Sequence, residues 1–160
     1  MTDPTSLPNF PPPPDEHPLR GMVLDALTDA GTGPNIDDDG DIAFVVNEQK
    51  LFARCVDKPA PAMRVLGQWR IGADVTADEL TQLKVASAVT LQGNLVKVGI
   101  HENVLMVCVD HLVTPGTNVS ELVMVCIGAV LSGVQNWHVG VGGGPDEQQS
   151  DGAPEQAPPQ

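Results

Sequence analysis

The chain has 160 residues, and 8 Lys and Arg residues against 21 Asp and Glu residues give it a formal net charge of −13 at pH 7. This length favours one domain, and the charge would repel phosphate, which argues against DNA, RNA and anionic membranes as partners. Aromatic residues make up only 3% of the chain, so it lacks the stacking surfaces that single-stranded nucleic acids need.

The cysteines and the N-terminus predict a cytoplasmic protein. Cys55, Cys108 and Cys126 are odd in number, show no CxxC spacing and lie in apolar segments, which is typical of buried thiols in a reducing compartment. The first residues contain no basic and no apolar region of a signal peptide. The longest uncharged run, 122–137, is shorter than the roughly 20 apolar residues that span a bilayer.

Proline and glycine divide the chain into three parts. Seven of the 15 prolines lie within the first 18 residues, and the last part is rich in Gly, Pro, Gln and acidic residues. Such segments bury too little apolar surface to offset the entropy of ordering them. We therefore expect a disordered Pro-rich leader over 1–17, a folded domain over 18–138 and a disordered Gly-rich, Pro-rich and acidic tail over 139–160.

The first predicted helix covers 18–30, where Pro18 suits the first turn and Gly31 suits the position after the last turn. Its apolar residues form one helical stripe: Leu19, Met22, Val23, Ala26, Leu27 and Ala30. Three strands are predicted after it, over 41–47, 50–56 and 63–71, and the third alternates cleanly between its two faces.

The second half of the domain also begins with a helix that is followed by strands. The S/T-x-x-E pattern from Thr76 to Glu79 predicts a capping box and a helix that begins at Ala77 and ends near 93–94. Two strands follow, over 95–101 and 104–113, joined at Glu102 and Asn103. The last predicted helix, 118–137, opens with Asn118 and Glu121 at capping positions.

The order is therefore α-β-β-β-α-β-β-α. Because consecutive strands with short links are antiparallel neighbours, the predicted fold class is α+β, with an antiparallel sheet and packed helices.

The sequence shows no motif that carries chemistry. An acidic turn at 35–40 resembles the first half of a calcium loop, but Val46 stands where the closing Glu should be. The four histidines have no metal spacing, and no GxSxG nucleophile pattern occurs. We predict no catalytic residue, no metal site and no cofactor.

Three segments carry more apolar residues than a core on one side of the sheet requires. The strands around 42–46 and 104–109 are apolar on both faces, so both sides of the sheet are expected to be covered. The last helix carries a second apolar patch, which we predict to be a dimer or protein-binding surface, made of Met124, Val125, Gly128, Ala129 and Ser132. The alternative left open is that the second helix packs on the far face of the sheet.

The arrangement resembles the YbjN family. The likeness rests on the helix end at 30–31, the Asp39 to Asp41 entry to a strand, the helix end at 93–94, the hairpin over 95–113 and the final helix after 117–120. That family is thought to contain bacterial sensory transduction regulators and has a fold like type III secretion chaperones. The resemblance spans about residues 18–138 and implies a dimerising module that binds protein segments or acts in regulation, without enzymatic activity.

The leading hypothesis is thus a non-enzymatic, chaperone-like or regulatory protein-binding module that forms homodimers. Its partner would be a protein or peptide segment, bound by strand addition or in a groove. The alternative is a small-molecule sensor or an enzyme, with a pocket between helices and sheet that uses Trp69, His101 or His111.

Overall fold

The helices and strands follow the predicted order, with one short strand added. The computed structural model describes residues 17–142, so the predicted leader and tail lie almost wholly outside the described residues. Within this range the elements are α1 (Pro18–Asp29), β1 (Asn35–Ile36), β2 (Ile42–Val46), β3 (Gln49–Val56), β4 (Ala62–Arg70), α2 (Glu79–Gln92), β5 (Val96–His101), β6 (Val104–Leu112) and α3 (Val119–Val141).

The strands form one antiparallel sheet in the order β1-β2-β3-β4-β6-β5, which confirms the predicted α+β class. β1 was not predicted, because a strand of two residues has no period to detect. The β2–β3 and β5–β6 hairpins each turn through two residues with positive φ, Asn47 with Glu48 and Glu102 with Asn103. Such turns match the twist of paired strands. The turn at Glu102 and Asn103 lies where the sequence predicts it, whereas the other turn includes Asn47, which the prediction assigned to the strand.

All three helices lie on one face of the sheet. α3 crosses β4, β5 and β6, α1 packs on one side of it and α2 packs on the other. The core between the helices and this inner face includes Trp137, Phe44, Leu51 and Val107, each almost completely buried. The alternative that the second helix covers the far face is therefore wrong: α2 packs against β5 and α3, and Trp137 Nε1 donates to the Gln82 carbonyl at 3.2 Å.

Two helix boundaries differ from those predicted. α2 begins at Glu79, because the Asp78 carboxylate accepts from the Thr81 amide at 2.7 Å, so the predicted Thr76 capping box is wrong. The Asn118 cap of α3 is confirmed by its side chain, which accepts from the Glu121 amide. α3 then continues to Val141, past the predicted end at residue 137 and the expected domain boundary at 138.

By length and composition alone, α3 is long and apolar enough to cross a membrane. In the structure one side of it is buried against the sheet, through residues such as Val123, Ile127 and Val130. A core helix of a folded domain passes the same test of length and hydropathy. α3 has the buried side that is typical of such a core helix.

Two glycines of α3 have opposite surroundings. A Cβ at Gly133 would lie 2.7 Å from Val96 Cγ2 and 2.8 Å from Val107 Cγ1, whereas a Cβ at Gly128 would meet nothing within 4 Å. Gly133 is therefore the position at which α3 approaches the sheet closely, and Gly128 lies on its outer side.

We expect opposite effects from the same substitution at these two positions. Gly133→Ala overpacks the helix–sheet contact and lowers the free energy of unfolding by about 1–3 kcal/mol. Gly128→Ala raises it by up to about 1 kcal/mol, because alanine favours the helix and has room there. Urea unfolding of both variants measures this, and equal effects of the two substitutions would contradict the packing described.

Candidate functional site

The side of the sheet that faces away from the helices is uncovered by any part of residues 17–142, and we call it the open sheet face. Strand alternation and the pairing register place one set of side chains there. Its larger apolar members are Val45, Phe52, Val56, Leu66, Met106 and Leu112. Its charged members are Asp41, Lys50, Arg54, Arg64, Arg70, Lys97 and Asp110.

Several of these apolar side chains are unusually exposed for strand residues. Leu112 is 63% exposed, Val45 and Val56 are about half exposed, and Met106 is only slightly less so. Single exposed apolar residues are ordinary, but these four share one face of the sheet, on β2, β3 and β6. The open sheet face is therefore the strongest candidate for a binding surface among the described residues.

A row of ion pairs crosses the open sheet face from β2 to β6. Arg54 donates through Nη2 to Asp41 Oδ2 at 2.7 Å, and Arg64 donates through Nη2 to Asp110 Oδ2 at 3.0 Å. Lys97 on β5 also binds Asp110, at 2.6 Å. Arg54 and Arg64 are direct cross-strand neighbours. Like charges in that position repel, and each arginine is stabilised by a carboxylate of its own.

The ion pairs shift the pKa values of Asp110, Arg64 and Arg54. The hydrogen bond from Arg64 lowers the pKa of Asp110 to about 2, with a smaller contribution from Lys97. Hydrogen bonds to Asp110 and to Asp41 raise the pKa values of Arg64 and Arg54. These three side chains therefore keep their charges across the physiological pH range.

A groove lies at one end of the open sheet face, where the ion pairs meet apolar side chains. It has a volume of about 440 Å³ and is lined by Arg54, Val56, Ala62, Met63, Arg64, Asp110, His111 and Leu112. Apolar walls with a few fixed polar groups are typical of pockets that bind small ligands.

Strand addition is blocked at the middle of the β5 edge. The Thr90 hydroxyl accepts from the Val98 amide at 2.9 Å and donates to the Val98 carbonyl at 3.3 Å, so both outward backbone groups of that residue are occupied. Edge strands protected in this way pair poorly with another chain. At the other edge β1 has only two residues. The face of the sheet is thus better suited to binding than its edges.

The structure divides the patch predicted on the last helix. Met124 is 49% exposed and Val125 is 56% exposed, and both lie on the outer side of α3 with Gly128. Ala129 is half-buried against the core and, with Ser132, lines a groove of about 260 Å³ between α3 and the turn from α2 to β5. Met124, Val125 and Gly128 form what we call the α3 outer face.

The residues of the predicted alternative pocket do not meet. Trp69 pairs with Leu105 near the β5–β6 turn, His101 is the last residue of β5 and pairs with Val104, and His111 pairs with Met63 near the opposite end of the sheet. The larger grooves are on the surface, on the open sheet face and beside the helices, rather than between helices and sheet.

The reactive side chains are held in unreactive states. Burial raises the pKa of Cys55 to about 12 and that of Cys126 to about 11, and it raises the pKa of Cys108 as well, so these thiols stay protonated at neutral pH.

In the acidic turn, Asp37 Oδ1 accepts from the amides of Asp39 and Asp41 at 3.0 Å each. Residues 17–142 contain no group of three His, Cys, Asp or Glu side chains that could hold a metal ion.

The sequence analysis missed the open sheet face, although β4 carries its signal. Arg64, Gln68 and Arg70 alternate with buried residues, which is typical of a strand with one solvent face. Leu66 interrupts that pattern, and the neighbouring strands are apolar on both sides. The sequence analysis therefore predicted that both faces of the sheet are covered, and it missed the exposed one.

Removing the shared carboxylate should change the acid limb of the stability profile. The low pKa of Asp110 stabilises the fold above about pH 4, and this contribution is lost as the pH falls towards 2. We expect Asp110→Asn to lower the free energy of unfolding by about 1 kcal/mol at pH 7 and to show a smaller decrease between pH 4 and pH 2. Urea unfolding across this pH range measures the effect.

The control for this experiment is Asp38→Asn, which removes an exposed carboxylate in the turn before β2. We expect its profile to follow that of the unmodified protein. An Asp110→Asn profile parallel to that of the unmodified protein would show that the ion-pair row does not contribute.

Known structures share this fold. No family model matches the chain, and no curated protein matches it. The crystal structure of YbjN, "a putative transcription regulator from E. coli", is similar with a TM-score of 0.51 at 12% identity, over 76% of this chain and 87% of that one. A chain of the HopA1–SchA chaperone–effector complex is similar with a TM-score of 0.57 at 15% identity, over 79% and 98%. The predicted resemblance to YbjN and to type III secretion chaperones is thereby confirmed, and identities this low establish the fold alone.

Proposed function

We propose that this protein is a cytoplasmic, non-enzymatic module that binds a protein segment on its open sheet face, in a chaperone-like or regulatory role. The observation that carries the proposal is the uncovered apolar surface of the sheet. No part of residues 17–142 covers Leu112, Met106, Val56 and Val45, and a partner that covers them would gain hydrophobic free energy.

The fold is in keeping with this role. One structural neighbour belongs to a chaperone–effector complex, and another is described as a regulator. A shared fold does not transfer a function, so the proposal depends on the surface itself. The occupied backbone groups at Val98 favour side-chain contacts on the face over strand addition at the β5 edge.

We further propose that two copies associate through the α3 outer face. Met124 and Val125 supply exposed apolar surface, and Gly128 between them and Ser132 leaves room for a second backbone to approach. Ala129 and Ser132 border this surface in the adjoining groove. Pairing there leaves the open sheet face of each copy free for a partner.

A catalytic role has little support from these residues. The raised pKa values of the three thiols disfavour a nucleophilic cysteine. About 20 Å of strand separates His111 from Trp69 and His101, and the last two lie in adjacent rows on opposite faces of the sheet, so the three cannot share a substrate. Binding therefore accounts for the exposed surfaces better than catalysis does.

A matched pair of leucine variants tests the binding surface. Leu112→Asp places a charge on the open sheet face, and Leu91→Asp places the same charge on α2, where Leu91 is 82% exposed. In native mass spectrometry of full-length protein isolated from its own cells, we expect a co-purifying polypeptide that Leu112→Asp loses and Leu91→Asp keeps. A polypeptide retained by both variants, or none with the unmodified protein, would contradict the proposal.

A matched pair of methionine variants tests the dimer. Met124 and Met22 are both 49% exposed, on α3 and on α1. We expect Met124→Glu to raise the dimer dissociation constant about tenfold or more and Met22→Glu to leave it within about twofold, because only the former charge enters the interface. Sedimentation measures association, and thermal unfolding checks that both variants remain folded. A monomeric unmodified protein, or equal effects of the two charges, would exclude this interface.

A further inference from the structure

Basic residues are concentrated on the open sheet face of an otherwise acidic chain. Five of the 8 Lys and Arg residues lie there, with two acidic ones, so this face carries a net charge of +3 in a chain of net charge −13. The five basic residues are Lys50, Arg54, Arg64, Arg70 and Lys97.

We propose that the segment bound by the open sheet face is acidic: an extended stretch of another protein in which Asp or Glu residues flank apolar ones. This inference rests on the proposed function and adds the chemistry of the partner. Complementary charge determines which partners are accepted, while apolar contacts supply affinity.

The ion pairs within the face leave part of its positive charge uncompensated. Asp41 compensates Arg54, but Asp110 is shared between Arg64 and Lys97, which leaves one excess positive charge. Among residues 17–142, Lys50 and Arg70 form no salt bridge. Carboxylates of a partner therefore have three positive charges to neutralise on this surface.

The order of the rows across the sheet matches the proposed partner. The charged row of Arg54, Arg64 and Asp110 lies between two apolar rows. The exposed row on one side contains Val56 and Leu112, and the row of Phe52, Leu66 and Cys108 on the other side is less exposed. Lys50 lies on the other side of Phe52, with its ammonium group 5.2 Å from the ring centre. A segment with an apolar residue between two acidic ones can meet both kinds of row at once.

The overall negative charge does not prevent this binding. At physiological ionic strength the Debye length is about 8 Å, so exposed charges on the far side of the helices are strongly screened. Local charge then dominates. The terminal segments also carry carboxylates, three in residues 1–16 and four in residues 143–160, and the test below distinguishes these segments from an external partner.

Three synthetic peptides test the proposal on the full-length protein. Each has apolar residues at every second position, and the residues between them are Glu, Gln or Lys. By fluorescence anisotropy at physiological salt, we expect the Glu peptide to bind at least about fivefold more tightly than the Gln peptide and the Lys peptide to bind most weakly. Raising the salt concentration should reduce the difference.

A pair of double variants locates the effect. Lys97→Gln with Arg70→Gln removes two charges from the open sheet face, and Lys58→Gln with Lys84→Gln removes two exposed charges elsewhere. Both carry the same change in net charge. We expect the first to weaken binding of the Glu peptide about fivefold and the second to leave it within about twofold.

Each of the remaining outcomes contradicts a different part of the proposal. Equal binding of all three peptides leaves the protein-binding role intact and overturns the acidic partner. Binding of none overturns both. If the Glu peptide binds only when the acidic residues of 1–16 or of 143–160 are replaced by amides in the full chain, the occupant is the chain's own segment, and the proposal of an external partner is wrong.

Discussion

The contact between α3 and the inner face of the sheet is the constraint on which the remaining structure depends. A helix needs a close approach to pack on a sheet, and Gly133 permits it beside Val96 and Val107. Trp137, one helical turn further along α3, is completely buried, and its Nε1 donates a hydrogen bond to the Gln82 carbonyl of α2. Since α1 and α2 both pack against α3, the three helices described lie on one side, and no part of residues 17–142 covers the opposite face of the sheet.

That exposed face has to remain soluble and folded without cover, and its charged row contributes to both. The two arginines that face each other across β3 and β4 are each balanced by a carboxylate, one of them shared with Lys97. Charged side chains on an exposed sheet also discourage unspecific pairing, as does the Thr90 hydroxyl at the β5 edge. In the complex we propose, the same charged residues give the surface its preference for an acidic partner.

Much of the fold was predictable because its signals are local. The apolar stripe of α1, the two-residue turns at Asn47 and Glu102 and the cap at Asn118 each depend on residues within a few positions. The prediction failed where two residues suit the same role. Thr76 and Asp78 can both cap a helix, and in the structure Asp78 is the N-cap of α2. On α3, Met124 and Val125 of the predicted binding surface are exposed, whereas Ala129 packs partly into the core.

The sequence by itself determined the element order, the antiparallel class and the presence of more apolar surface than one core requires. Only the tertiary structure decided where that surplus lies. Period-two alternation shows that a strand has two faces, but in β2 and β6 both faces are apolar, so the pattern cannot tell which one meets helices. That choice depends on contacts between residues far apart in the chain, above all between α3 and both flanking helices, and such contacts leave no local trace in the sequence.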